Sequence, residues 1–379
     1  MVKPSAFRIS EHRMSLLKLS IATTDYDHFR DFRLGFVRAE GIDHTWLTLE
    51  HHEVFARFTF NREWDVSELS FAKFMAQVTR DDPDIIGLPV VCSRLFRFSS
   101  FYVNKNSNIK GPADLRGKTI GSPEWAHTAA VYMRGWLTDE HGVRLQDVHW
   151  YQAGANEAGR TEKVELSLPA GVKLTRVSDT SLSDLLARGA IDCALIARPP
   201  TCFLQGHPDI VRLFPDYWAM EEDYYRRTKV WPIMHIIAVQ KHILDENPWV
   251  ARNLLNAFVE SKRRSIERLL DPAVSRYPVA WMPAYMRKMR DMFDGDTFPF
   301  GIEENRPAPA RQARGDISKG HHDASQGVRV RVWGQKYRCR HQRWRRFRYW
   351  HQKGIVMSPI LRQARSRSRR SQLRHSAVH

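Results

Sequence analysis

The chain has 379 residues, 42% hydrophobic and 11% aromatic, which is length for two or three domains with buried cores and too apolar for a disordered protein. No run of ~18 apolar residues occurs, which excludes a membrane-spanning helix; four cysteines without CxxC spacing (Cys92, Cys193, Cys202, Cys339) exclude a disulfide scaffold and a zinc ribbon. The net charge of +17 resides entirely in the last 73 residues: 307–379 hold 19 basic and 2 acidic side chains, whereas 1–306 hold 40 of each.

Residues 1–13 lack the apolar centre of a secretory signal, so a cytoplasmic protein is expected, with either Met1 or Met14 as its start. From residue 17 the pattern is α/β. The run 17–23 (LKLSIAT) ends in a polar loop and reads as a buried first strand; 118–121 (KTIG) reads as another. Ser122-Pro123-Glu124 looks like a helix start, with a capping Ser, Pro at the first helical position and an acid in the first turn, and 128–138 continues at helical spacing. Residues 181–188 form a short amphipathic helix closed by Gly189, followed by a strand over 191–197. The apolar, β-branched run 231–239 reads as a central strand, and Asn247-Pro248-Trp249 opens a helix over 250–270 with Arg and Lys outward. Short strands alternating with helices predict mostly parallel sheets.

The tail, 307–379, has few acids, no period and Arg-rich stretches such as 338–350 (RCRHQRWRRFRYW), and disorder is expected there. It reads either as an RNA-binding arm, with Arg on phosphates and aromatics on bases, or as out-of-frame translation of GC-rich coding sequence. The neutral body gives no support to a specific nucleic-acid partner; nonspecific binding would follow from the Arg content alone.

Several stretches together resemble the 4,5-dihydroxyphthalate decarboxylase family, whose members are similar to type II periplasmic binding proteins. They are Asp25-Tyr26-Asp27, 65–70 (DVSELS), 89–97 (PVVCSRLFR), the turn 118–123 leading to Thr128-Ala129, and Arg134-Gly135. Further on come Arg212-Leu213-Phe214, 232–235 (PIMH), Pro248-Trp249 and 296–306 (DTFPFGIEENR). The resemblance covers about 17–306. The family would be expected to continue with a Leu- and Glu-rich amphipathic helix; the abrupt change at Arg306 favours the frameshift account of the tail.

The resemblance implies a two-lobed fold joined by two crossovers, the first lobe from 17–100 and 230–306, the second from 101–229, with the ligand in the cleft. The implied substrate is a benzene ring with two adjacent carboxylates and two hydroxyls. A hydroxyl para to the departing carboxylate pushes electrons to the ring carbon, which takes a proton before CO2 leaves, so no cofactor is required. Such chemistry needs cations for a dianion, an acid for carbon, an acceptor for the phenol proton and a dry cleft. Arg94 and Arg97 are expected as a carboxylate clamp, Arg198 as a second clamp, and Thr128 as an anion contact at a helix start. His235 is the expected proton donor, since imidazole exchanges protons near neutral pH. Asp27 and Glu68, taken as loop carboxylates, would accept the phenol proton or orient His235; Tyr26 and Ser70 would contact the ring and its hydroxyls. Arg57 is read as structural. The adjacent pair His51-His52 is read as exposed, and no metal site is expected, HExxH spacing being absent. The competing reading is a noncatalytic solute-binding protein of an uptake system.

Overall fold

The computed structural model describes residues 15–306 and the backbone of 331–332 and 335–336. The expectations for 307–379 and for the Met1 or Met14 start therefore lie outside the described residues. Two mixed sheets organise the rest. In chain order the first contains β1 (Leu17–Thr23), α1 (Arg30–Arg33), β2 (Ile42–Thr48), α2 (His51–Asn61), β3 (Val66–Ser70), α3 (Phe71–Val78) and β4 (Ile85–Arg94). The chain then crosses to β5 (Phe101–Asn104), β6 (Thr119–Ser122), α4 (Thr128–His141), β7 (His149–Gly154), β8 (Lys173–Ser181), α5 (Leu182–Ala187), β9 (Cys193–Leu195), α6 (Thr201–Leu204), β10 (Ile210–Arg212) and α7 (Tyr217–Thr228). It returns as β11 (Ile233–Gln240), followed by α8 (Lys241–Glu246), α9 (Trp249–Leu270) and α10 (Met282–Met292). Two short strands, β12 (Arg331–Val332) and β13 (Gln335–Lys336), extend the outer edge of β4.

The first sheet has the order β13-β12-β4-β11-β3-β1-β2, the second β10-β5-β9-β6-β7-β8. Both are mixed, which corrects the mostly parallel expectation. β1 runs parallel to β2 and β3, and β6 parallel to β7 and β9, as βαβ units require. β11, however, enters the first sheet from the second and so lies antiparallel to both β3 and β4. β5, the first strand after the outward crossing, is antiparallel to β9 and β10.

Local signals account for most elements. α5 is capped by Ser181, whose side chain accepts from Asp184 N, and is followed by Gly189 at φ +72°, a left-handed position that glycine adopts without steric cost. α9 buries Val250, Leu254, Ala257, Phe258, Ser261 and Ser265, one stripe at helical spacing. Its Phe258 packs edge-to-face with Phe29 and Phe32 beneath the first sheet. Lys262 departs from the expected outward cations: it is buried in α9 and bonded to Asp296 and the Phe298 carbonyl.

The helix start at Ser122 is not observed. Ser122 ends β6 and donates to Glu124 O; α4 begins only at Thr128. The intervening residues are claimed by distant partners. Glu162 accepts from Trp125 N and Ala126 N, and the Glu124 carboxylate is drawn into a cluster of cations.

Candidate active site

A cavity of ≈230 Å³ opens between the two sheets, lined by residues from both. Its floor is the junction of β3, β11 and β4, where His235 pairs in register with Ser70 on one side and Ser93 on the other. The β11–β4 ladder is irregular on both sides of His235, and such irregularities re-aim a strand side chain. Beneath the ring lies Glu68. The expected loop DVSELS is in fact strand β3 with every residue from Val66 to Ser70 buried, so Glu68 is an interior carboxylate.

All three of its contacts are short. Glu68 accepts from Thr24 N (2.7 Å), from the Tyr26 hydroxyl (2.7 Å) and from His235 Nδ1 (2.6 Å). Burial alone would raise the Glu68 pKa, but these hydrogen bonds and the His235 charge hold it below the usual carboxylate range. Burial and the Glu68 charge push the Tyr26 hydroxyl pKa far up, so it stays a donor. With Nδ1 engaged, Nε2 of His235 is left for the cavity that the residue lines. The ring is steadied by Phe55, edge-on at 4.8 Å, and by His51, near-parallel at 6.0 Å.

The opposite wall is cationic. Glu124, wholly buried, contacts Lys73 of α3 at 2.6 Å, Arg160 at 2.7 Å and Lys163 at 2.9 Å. The group keeps a net charge of +2 and ties the first sheet's helix to the second lobe. Desolvation opposes ionisation of Glu124, but the three cations hold its pKa well below the ordinary value. Arg97 adds a further cation; its Nε lies 3.2 Å from Met234 Sδ, and burial lowers its pKa only to about 10. Arg198 stands on the rim, mostly exposed and 3.8 Å from Glu50. His51 and His52 line the cavity as neutral rings, their pKa values lowered to about 4 and about 3 by burial and then by neighbouring positive charge.

Of the nine residues expected from the sequence, His235, Glu68, Tyr26, Ser70, Thr128, Arg97 and Arg198 come together around this cavity, with Glu68 just beneath its surface. Thr128 meets Ser70 at 2.7 Å and accepts from Ala72 N, so its hydroxyl fastens the lobes together, and the free N–H groups expected beside it are taken by Glu162. Asp27 and Arg94 do not reach the cavity. Asp27 bonds Ser265 and Arg268 of α9. Arg94 follows Ser93 on β4, and successive strand residues face opposite ways: Ser93 lines the cavity while Arg94 is buried behind the sheet. There its guanidinium donates to the carbonyls of Trp231 and Pro299 and to Asn305 Oδ1. Both residues instead line a larger apolar cavity, ≈530 Å³, among α7, α9 and α10. Arg57 is a half-buried residue paired with Glu53 and Glu63, away from the cavity.

Sequence reasoning missed Lys73, Glu124, Arg160, Lys163 and the place of His51 and His52 on the cavity wall, although His52 is exposed as expected and His51 only half-buried. Lys73 carried a signal, since it is the sole charge in the apolar helix 71–78 and sits on a buried face. Among the described residues, no three His, Cys, Asp or Glu are grouped to hold a metal ion, and no helix is long and apolar enough to cross a membrane.

No protein-family model matches the chain. Among solved structures, the chain is similar to the periplasmic aliphatic sulphonate binding protein SsuA of Escherichia coli (14% identity, TM-score 0.39, 85% of this chain and 98% of that one). The alkanesulfonate-binding protein SsuA of Xanthomonas axonopodis pv. citri gives 12% identity and a TM-score of 0.39 over 75% of this chain and 94% of that one. Two relatives are much nearer in sequence. The 4,5-dihydroxyphthalate decarboxylase of Comamonas testosteroni is 35% identical over 308 residues, 81% of this chain and 93% of that protein. The 4,5-dihydroxyphthalate decarboxylase of Pseudomonas putida is 37% identical over 214 residues, 56% of this chain and 83% of that protein. With its interior Glu–His pair facing a cationic wall, the chain belongs to the 4,5-dihydroxyphthalate decarboxylase family.

Proposed function

We propose that this chain is an aromatic carboxy-lyase that converts 4,5-dihydroxyphthalate to 3,4-dihydroxybenzoate and CO2 in the cavity between its lobes, 17–100 with 230–306 and 101–229. A cytoplasmic location goes with this reading. The relatives' activity supports it, and so does the size of the cavity. At ≈230 Å³ it lies below the roughly 300–1,000 Å³ of drug-sized ligand sites and suits one substituted ring. The +2 excess of the Lys73, Arg160, Lys163 and Glu124 group matches a dianion, and Arg97 adds a bidentate donor.

The observation that carries the reading is the His235–Glu68 pair. Glu68 fixes Nδ1 and complements the charge that the ring bears when it has a proton to give; Nε2 then delivers that proton to the ring carbon carrying the departing carboxylate. The C–C bond breaks, its electron pair restores the aromatic ring, and CO2 leaves. A noncatalytic binding protein needs the cations but has no use for this pair.

The test is CO2 release from 4,5-dihydroxyphthalate, measured alongside equilibrium binding. His235→Ala should lose turnover by at least ~100-fold while binding changes little. Wild-type turnover by the variant removes His235 from the mechanism. Binding without any CO2 from the wild type returns the noncatalytic reading.

A further inference from the structure

The reaction proposed above needs an acceptor for the hydroxyl proton, and the expected carboxylates are unavailable for it. Asp27 faces α9; Glu68 already receives three hydrogen bonds; Glu124 is held by three cations. The Tyr26 hydroxyl donates to Glu68, and those of Ser70 and Thr128 bond each other. Imidazoles remain. We propose that His51 is a catalytic residue, accepting the proton of the ring hydroxyl para to the carboxylate that departs.

Placement singles out His51. Its ring lies near-parallel to that of His235, at 20° and 6.0 Å between centroids, and both line the cavity. That spacing lets two imidazoles address opposite ends of one benzene ring, the carbon that gains a proton and the oxygen that loses one. His52 instead feels Arg160 and Lys163, the carboxylate-binding side, and His127 lines that same side, beside Arg160, Lys73 and Glu124. The state of the ring agrees. Burial, then His235 and Arg198, lower the His51 pKa to about 4, so it holds a free lone pair at neutral pH. A bound dianion offsets that positive charge and so raises the basicity of His51 relative to the empty cavity, while burial continues to hold it down.

The step balances. The O–H bond breaks and its proton goes to His51, while the oxygen lone pair forms a ring carbonyl. The displaced ring electrons take the proton of His235 at the para carbon. Cleavage of the C–C bond releases CO2 and returns its electron pair to the ring, and His51 gives its proton back to the oxygen. Water recharges His235, so one proton is consumed per CO2.

This inference rests on the decarboxylase reading. It is tested with full-length His51→Gln by kcat and KM on 4,5-dihydroxyphthalate, and by the ultraviolet phenolate band of bound 3,4-dihydroxybenzoate. We expect kcat to fall about 100- to 1,000-fold with KM within about three-fold, and the phenolate band of the wild-type complex to vanish. If the melting temperature shows His51→Gln to be misfolded, His51→Ala with added imidazole replaces it, recovery of rate and band being the supporting result. An active wild type with a variant retaining kcat within three-fold, or retaining the band, overturns the His51 role and leaves the decarboxylase reading intact. A wild type that binds the diacid and releases no CO2 overturns both.

Discussion

Glu124→Gln isolates the charge cluster that joins the lobes. The substitution keeps the shape and removes a carboxylate that is wholly buried and lies 2.6–2.9 Å from Lys73, Arg160 and Lys163. Removing one partner of a buried pair costs about 3–5 kcal/mol, because the charges left behind are neither solvated nor matched. Arg160 and Lys163 retain about a fifth of their side-chain surface, so solvent relieves part of their repulsion, whereas Lys73 has almost none. A loss of about 3 kcal/mol follows, or a melting temperature lower by about 4 °C for a chain of this size. The dianion should compensate. With one more uncompensated cation in the wall, 4,5-dihydroxyphthalate should raise the variant's melting temperature by more than it raises the wild type's. The difference should also depend on pH. The Glu124 pKa is depressed in the folded state, so its contribution is complete above the ordinary 4.5 and is lost as pH falls below it. The gap between wild type and variant therefore narrows on acidification below pH ~4.5. Calorimetry with and without the diacid measures all three effects. A variant within 1 °C of the wild type, with the same ligand shift, would mean that the cluster is solvated and worth about as little as a surface pair, ~0–1 kcal/mol, refuting the argument.

Three further outcomes follow from the same geometry. Glu68→Gln leaves His235 without its carboxylate and should lower kcat by about 100-fold with little change in binding; undiminished turnover would show that the pair is only structural. Arg94→Ala strands the carbonyls of Trp231 and Pro299, so it should destabilise the fold by roughly 3 kcal/mol and leave diacid affinity within about three-fold; a large affinity loss at unchanged stability would restore Arg94 as a clamp. His28 has an Nε2 sealed from solvent without a partner, and burial lowers its pKa to about 4. The unfolded chain takes up that proton below ~6.5 and the folded chain only near 4, so stability is complete above pH ~6.5 and falls by roughly 3 kcal/mol down to pH ~4. His28→Gln should flatten that acid limb in urea titrations, and an unchanged limb would assign it to other groups.

Periodicity and capping made much of this protein legible from its sequence. The first strand, the α5 helix with its Ser181 cap and Gly189 stop, the central strand β11 and the stripe of α9 follow from neighbours within a few residues of one another. The motif line-up gave the family, and with it His235. Nothing local shows that DVSELS is interior strand, because its polar alternation looks like a loop. Those polar atoms are satisfied from afar, Ser70 by Thr128 and Glu68 by Thr24, Tyr26 and His235. Nor does the spacing of SRLFR reveal which arginine faces the cleft; that depends on which face of β4 meets the second lobe. The cationic wall was the least visible feature. Lys73, Glu124 and the Arg160–Lys163 pair lie on three separate segments, and apart from Lys73 in its apolar helix each reads as an ordinary charge. Sequence fixes local conformation through contacts a turn or two apart. A buried ion pair is stable only once both partners have been desolvated side by side, and that condition is met by the tertiary fold alone.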